Sequence, residues 1–222
     1  MAMNVLAFAI SAILSLRIAT GAPVVSIASV NNVLGAKVLT EKSFSLQKRY
    51  GDKFVNDVFK DNILLTLAYM DGKVTKAADI NWEAIEKSQE FKLTLKPGEV
   101  FTFHEDVLPS YQGKTIKSTN AHFNAQDGFK FSGLYFGDGV CHLASLIYWA
   151  AIDAGLEAQR PASHDFMPIA EVPKEYGVSI YYMPRNYAAN AQQNLYVTNN
   201  KDKDIRFVFN YDGDNLKVQI TE

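Results

Sequence analysis

A glycine-rich turn running directly into an apolar helix constrains this chain more than any other stretch. Gly137-Asp138-Gly139-Val140-Cys141 is a flexible turn. From His142 to Ala154 the residues Leu143, Leu146, Ile147, Ala150, Ala151 and Ala154 form one helical apolar face. Gly155 then supplies a left-handed stop. A second helix is predicted over Lys48 to Met70. There Phe54, Val58 and Leu65 lie near one stripe, Val55, Phe59 and Ile63 lie beside it, and Asp71-Gly72 ends it. Asn81 to Ile85 reads as a short capped helix or a docking turn.

Strands fill the remainder. Phe91, Leu93 and Leu95 alternate with Lys92, Thr94 and Lys96 up to Pro97-Gly98, and Val100 to Phe103 follows as a short strand. Val178 to Tyr182, Leu195 to Thr198, Ile205 to Tyr211 and Leu216 to Ile220 are further strands, the last two a hairpin around Asp212-Gly213. His104 to Phe131 is polar, irregular and long enough to be a functional loop. Helices and strands mix without βαβ regularity. The expected class is therefore α+β, a mixed or antiparallel sheet with a central helix carrying a cysteine at its N-terminus.

With 222 residues, 48% hydrophobic and 21% charged, the chain can bury one generous core. The net charge of −2 comes without a basic stripe, which argues against nucleic acid as a partner. One cysteine excludes an internal disulfide and a cysteine-rich zinc site. The first thirty residues differ from the rest. Ala2 to Leu16 carries no charge, Arg17 interrupts, and Ile18 to Val30 is again apolar or small. That run is short for a spanning helix and suits a signal peptide or anchor, although its start lacks Lys or Arg. Pro23 discourages cleavage after Ala22, and Ser26-Ile27-Ala28 is the alternative site. The competing reading buries these residues in the domain.

Cys141 stands where a glycine turn meets a helix start. Free backbone amides and the positive helix end stabilise a thiolate there, so a lowered pKa is expected. The same amides suit an oxyanion, and Gly137 and Gly139 leave room for a substrate backbone. The alternative is a buried cysteine packing the helix start. A nucleophile needs a base, and the chain has four histidines. His164 comes first, on a segment able to return beside the helix start; its neighbour Asp165 points the other way in an extended chain. His104 ends a strand and comes next, then His142; His122, mid-loop, reads as solvated. A metal centre built from these histidines with Glu105, Asp106 and Asp165 lacks any compact ligand spacing, and no G-x-S-x-G elbow exists. No metal or cofactor is expected.

At these residues the chain resembles the VanW-like family, named after a vancomycin-resistance accessory protein. Leu95-Lys96-Pro97-Gly98-Glu99-Val100-Phe101 matches the family's L-K-P-G-E-V-F, and Gly137 to Cys141 its G-G-G-V-C. Ala154-Gly155-Leu156, the His164 segment, Val172-Pro173 and Leu195 to Asn200 continue the likeness. It spans about Ser43 to the C-terminus, best from residue 93. Asp138 replaces a glycine, and His142-Leu143-Ala144-Ser145 replaces a Gln-Val-Ser-Thr stretch. His104 stands where asparagine is frequent and Gly177 where aspartate is common. The last departure leaves a backbone carbonyl or a side chain such as Ser179 to orient the histidine. The resemblance implies envelope work, since some VanW-like domains are L,D-transpeptidases that cross-link peptidoglycan through a cysteine acyl-enzyme. The expected roles are Cys141 as nucleophile and His164 as base. Gly137, Asp138, Gly139 and His142 would form the oxyanion and substrate cradle, with peptidoglycan peptides as partner and the N-terminal segment as membrane or export signal. The turn–cysteine–helix layout also looks like papain-like and transglutaminase-like enzymes, so a cell-wall peptidase or amidase is one alternative. A non-catalytic envelope-binding module is the other.

Overall fold

The computed structural model describes residues 36–222. The apolar stretch over residues 1–30 lies outside them. Among the described residues the architecture is α+β, with two four-stranded sheets and four α-helices. In the first sheet β1 (Val38–Ser45), β8 (Asn215–Thr221), β7 (Ile205–Tyr211) and β2 (Gln89–Leu95) lie side by side, all antiparallel. In the second, β4 (Ile116–Ser118) pairs parallel with β3 (Val100–Thr102), followed antiparallel by β6 (Tyr196–Thr198) and β5 (Glu157–Gln159).

Local sequence chemistry sets the element ends. Helix α1 (Lys53–Met70) starts where the Asp52 carboxylate accepts from the Val55 amide at 3.0 Å, five residues later than periodicity alone predicts. It stops at Asp71, with Gly72 at φ +73°. Asn81 caps the one-turn helix α2 (Trp82–Ile85) as its side chain accepts from the Ala84 amide. Helix α3 (Val140–Asp153) ends in a Schellman motif, Leu156 N–H donating to Ala151 and Gly155 N–H to Ile152, with Gly155 at φ +68°. The β7–β8 hairpin closes where the Asp212 carboxylate accepts from the Asp214 and Asn215 amides.

Helix α3 is the centre of the core. It packs on β1, β8, β5 and α1, burying Leu143, Leu146, Ile147, Ala150 and Ala151 against strand residues such as Phe207, Phe209 and Val218. Its far end is tied to β1 by Asp153, which accepts from Thr40 at 2.6 Å and pairs with Lys42 at 2.8 Å. One expected strand is absent. Val178 to Tyr182 is extended but joins no ladder, because its backbone bonds go to side chains and isolated carbonyls. A fourth helix, α4 (Tyr187–Gln192), follows it.

Candidate active site at the start of the central helix

Gly139 caps α3 in the left-handed region at φ +102°, and no side chain satisfies the first-turn amides. Packing alone requires both turn glycines. A Cβ on Gly139 would sit 2.5 Å from the Phe59 carbonyl oxygen, and one on Gly137 would sit 2.8 Å from Phe123 Cβ. The Asp138 carboxylate is bound by the loop that precedes the helix. It accepts from the Ser132 hydroxyl and the Tyr135 amide, and the Asp138 carbonyl accepts from Asn62 Nδ2. Asp138 pins the loop.

Cys141 lies in the first turn, and its thiol meets the extended segment 178–182. Sγ accepts from the Ile180 amide at 3.3 Å and donates to the Ile180 carbonyl at 3.5 Å. One turn on, Ser145 Oγ donates to the Cys141 carbonyl at 2.7 Å and accepts from the Val178 amide at 2.8 Å. Cys141 and Ser145, on one helix face, thus staple a neighbouring backbone to α3. The expected acidic thiol is not what this enclosure produces. Burial pushes the thiol up to about 11, and the Asp138 charge adds to the rise; the Ile180 and Cys141 amides offset only part of it. Desolvation outweighs the helix end.

The histidines divide into two pairs. His142 (3% exposed) lies between Phe59 and His164, with ring centroids at 5.0 and 5.8 Å; His164 (5% exposed) also touches Phe166 at 4.2 Å. Neither ring hydrogen-bonds to the thiol, and the Nδ1 atom of each is buried without a partner. His164 is thus brought to the helix start, but onto His142. Asp165 is exposed, and Ser179 Oγ donates to Gln193 Oε1 at 2.6 Å, so neither orients His164. Gly177 lies against His164, where a Cβ would stand 2.9 Å from the His164 carbonyl oxygen. A cavity of about 90 Å³ opens on this side, lined by His164, Met167, Ile169, Val172, Lys174 and Gly177.

The second pair is His104 and His122. His104 is fully buried, with Nε2 3.3 Å from the Gln193 carbonyl and Nδ1 3.3 Å from Asn194 Nδ2. Both its nitrogens are occupied. His122 is not simply solvated: its Nε2 is 2.8 Å from Glu105, and its ring stacks on Tyr182 at 4.1 Å. Among the described residues no three His, Cys, Asp or Glu side chains converge to hold a metal.

Ile180, Gln193 and Asn194 escaped the sequence reading. Asn194 holds together the Phe103 amide, the Leu195 amide and the carbonyls of His104 and Asp106. Nothing local marks these residues. Ser145 carried a signal, since its i+4 spacing places it on the Cys141 face.

Burial lowers His142 to about 3, with the Arg49 charge and His164 adding to it, and burial also lowers His104 and His164. A histidine kept neutral in the fold is protonated first in the unfolded chain, so its contribution is present above about pH 6.5 and is lost as pH falls toward 3. Urea unfolding should show stability falling from pH 7 to 5, with about 2 kcal/mol of that fall from His142 alone. His142→Gln should flatten the slope over that window. An equally steep slope in the variant would remove His142 as its source.

These features define an α+β domain with a cysteine in the first turn of a buried central helix. The family described as VanW like protein matches residues 84–221, a span holding α3, both histidine pairs and seven of the eight strands. The chain belongs to the VanW-like family. Comparisons with curated proteins and with solved structures give no match.

Proposed function

We propose that the domain is a cell-envelope cysteine acyltransferase of the L,D-transpeptidase type, acting on peptidoglycan stem peptides. The observation that carries this reading is the contact of the Cys141 thiol with both the N–H and the C=O of one residue, Ile180, at a helix start whose amides no side chain caps. The sulfur already stands beside a peptide unit. In the reaction Cys141 would attack the amide carbonyl of a stem peptide while His164 takes the thiol proton. The Cys141 and His142 amides, lacking intrahelical carbonyls, would hold the oxyanion. The C–N bond then breaks, His164 returns the proton to the departing amine, and the acyl group remains on sulfur. An acceptor amine resolves the thioester to a new amide, or water to an acid, the peptidase outcome.

His164 suits the base role better than His104, whose nitrogens are both engaged, because His164 has an unpaired Nδ1. His164→Ala should slow acyl-enzyme formation with stem-peptide fragments by about 10²–10⁴-fold. His104→Ala should act on stability instead. A His164→Ala chain acylated at the unaltered rate would eliminate the Cys141–His164 dyad.

The substrate places the domain outside the cytoplasmic membrane, with the apolar residues 2–30 as export or anchoring signal. None of the described helices is long and apolar enough to cross a membrane. A non-catalytic envelope-binding module is the second reading. It is favoured by the thiol at about 11, which a binder tolerates and a nucleophile must overcome.

A further inference from the structure

The thiol and its surroundings carry a regulatory consequence, which rests on the reading of Cys141 as a nucleophile. Residues 178–186 run as extended chain and turn without a strand partner, and their backbone is tied down point by point. The Val178 amide goes to Ser145 Oγ, that of Ser179 to the Ala162 carbonyl, that of Ile180 to Cys141 Sγ, that of Tyr181 to the Gln193 carbonyl, and that of Met183 to Asn190 Oδ1. Asn190 also donates to the Met183 carbonyl at 2.9 Å and to Asp106 at 2.7 Å, so it clamps the far end.

The two ends differ in how firmly they are held. Val178 is fully buried in the main core, whereas Tyr181, Met183 and Tyr187 are exposed. Arg185 sits at φ +67°, a strained conformation for a side-chain-bearing residue. Ile180 is buried in the main core and Tyr182 packs against it, its ring stacked on His122 at 4.1 Å; apart from these two side chains the segment is held by single bonds, which puts it at the low-stability end of a fold. Displacement of the Ile180 backbone breaks both of its bonds to the thiol at once.

We propose that residues 180–186 form a strap that lies over Cys141 at rest and swings away about Ser179 and Asn186 to admit an acyl donor. Opening frees the thiol and the Gln193 carbonyl together. The carbonyl can then accept from the amide of an incoming extended peptide, as it now accepts from Tyr181. The strap is in this sense a stand-in for the substrate backbone, and its opening sets how fast the thiol reacts.

The test needs no substrate. Iodoacetamide labelling of Cys141 at one fixed pH is compared in the unaltered chain, Asn190→Ala and Ser179→Ala, alongside amide hydrogen exchange. Asn190→Ala removes the far clamp and should speed labelling by about tenfold or more. Ser179→Ala, which loses only its bond to Gln193, should speed it severalfold, and it carries the test alone if Asn190→Ala fails to fold. The Ile180 amide should exchange faster by the same factor while those of α3 and β7 stay protected. Unchanged labelling in the folded variants, or labelling that rises only in step with α3 and β7 exchange, would overturn the strap. A strap that opens in a chain yielding no acyl adduct would refute acyl transfer and leave the strap standing. An adduct formed with labelling insensitive to both variants would do the reverse.

Discussion

Gly139→Ala is expected to destabilise the domain by about 3 kcal/mol or more, one of the largest effects of any single methyl group in this fold. Two costs combine. At φ +102° a residue with a Cβ is strained by about 1–3 kcal/mol before any contact is considered. The new methyl would also lie 2.5 Å from the Phe59 carbonyl oxygen and 3.0 Å from Phe59 Cα, both backbone atoms, so α1 and the start of α3 must move apart. Rotamer changes cannot relieve this clash. Gly51→Ala is the control, because nothing lies within 4 Å of its Cβ position and its φ is not in the left-handed region; it should change stability by no more than about 0.5 kcal/mol. Urea denaturation at pH 7 reads both. Equal midpoints would mean that α1 does not press on the turn at Gly139.

Cys141→Ser should reduce acyl transfer by about 10³-fold or more while leaving the fold and the strap in place. A hydroxyl can still donate to the Ile180 carbonyl and accept from its amide, so the staple onto α3 survives. The serine hydroxyl, however, stays protonated where a cysteine delivers a thiolate. The expected pattern is a thermal midpoint shifted by only a few degrees, together with loss of turnover. Retained turnover would assign the chemistry to another group, whereas collapse of the fold would make the sulfur chiefly structural.

The family resemblance and much of the fold were legible because their signals are local. The stops at Gly72 and Gly155, the Asp212-Gly213 hairpin and the alternation of β2 depend on residues within a few positions of each other, and each stands where the sequence puts it. The family match over residues 84–221 contains the runs from Leu95 and from Gly137. Strand β1 went unread because its burial falls on Thr40 and Phe44, too sparse to alternate, and its place depends on pairing with β8 at the other end of the chain. The segment Val178–Tyr182 has strand composition but finds its partners on Ser145, Cys141 and Gln193, none of which a local pattern announces.

The wiring around the candidate residues was less legible. Position at a helix start argues for an acidic thiol, yet burial by segments distant in sequence raises Cys141, and the Ile180 amide offsets only part of that rise. His164 does return to the helix start, but the ring it meets is His142. Asp138 and Ser179 are polar residues near the site whose side chains are spent on Ser132 and Gln193. Sequence gives the residue types; which groups they face is set by contacts between distant segments.

Intact-mass analysis of the folded chain with peptidoglycan stem-peptide fragments tests the central claim most directly. The account predicts a mass increase equal to the acyl part of the donor, localised to the peptide containing Cys141 and absent from Cys141→Ser. An unmodified chain, under conditions where iodoacetamide labels Cys141 completely, would contradict it.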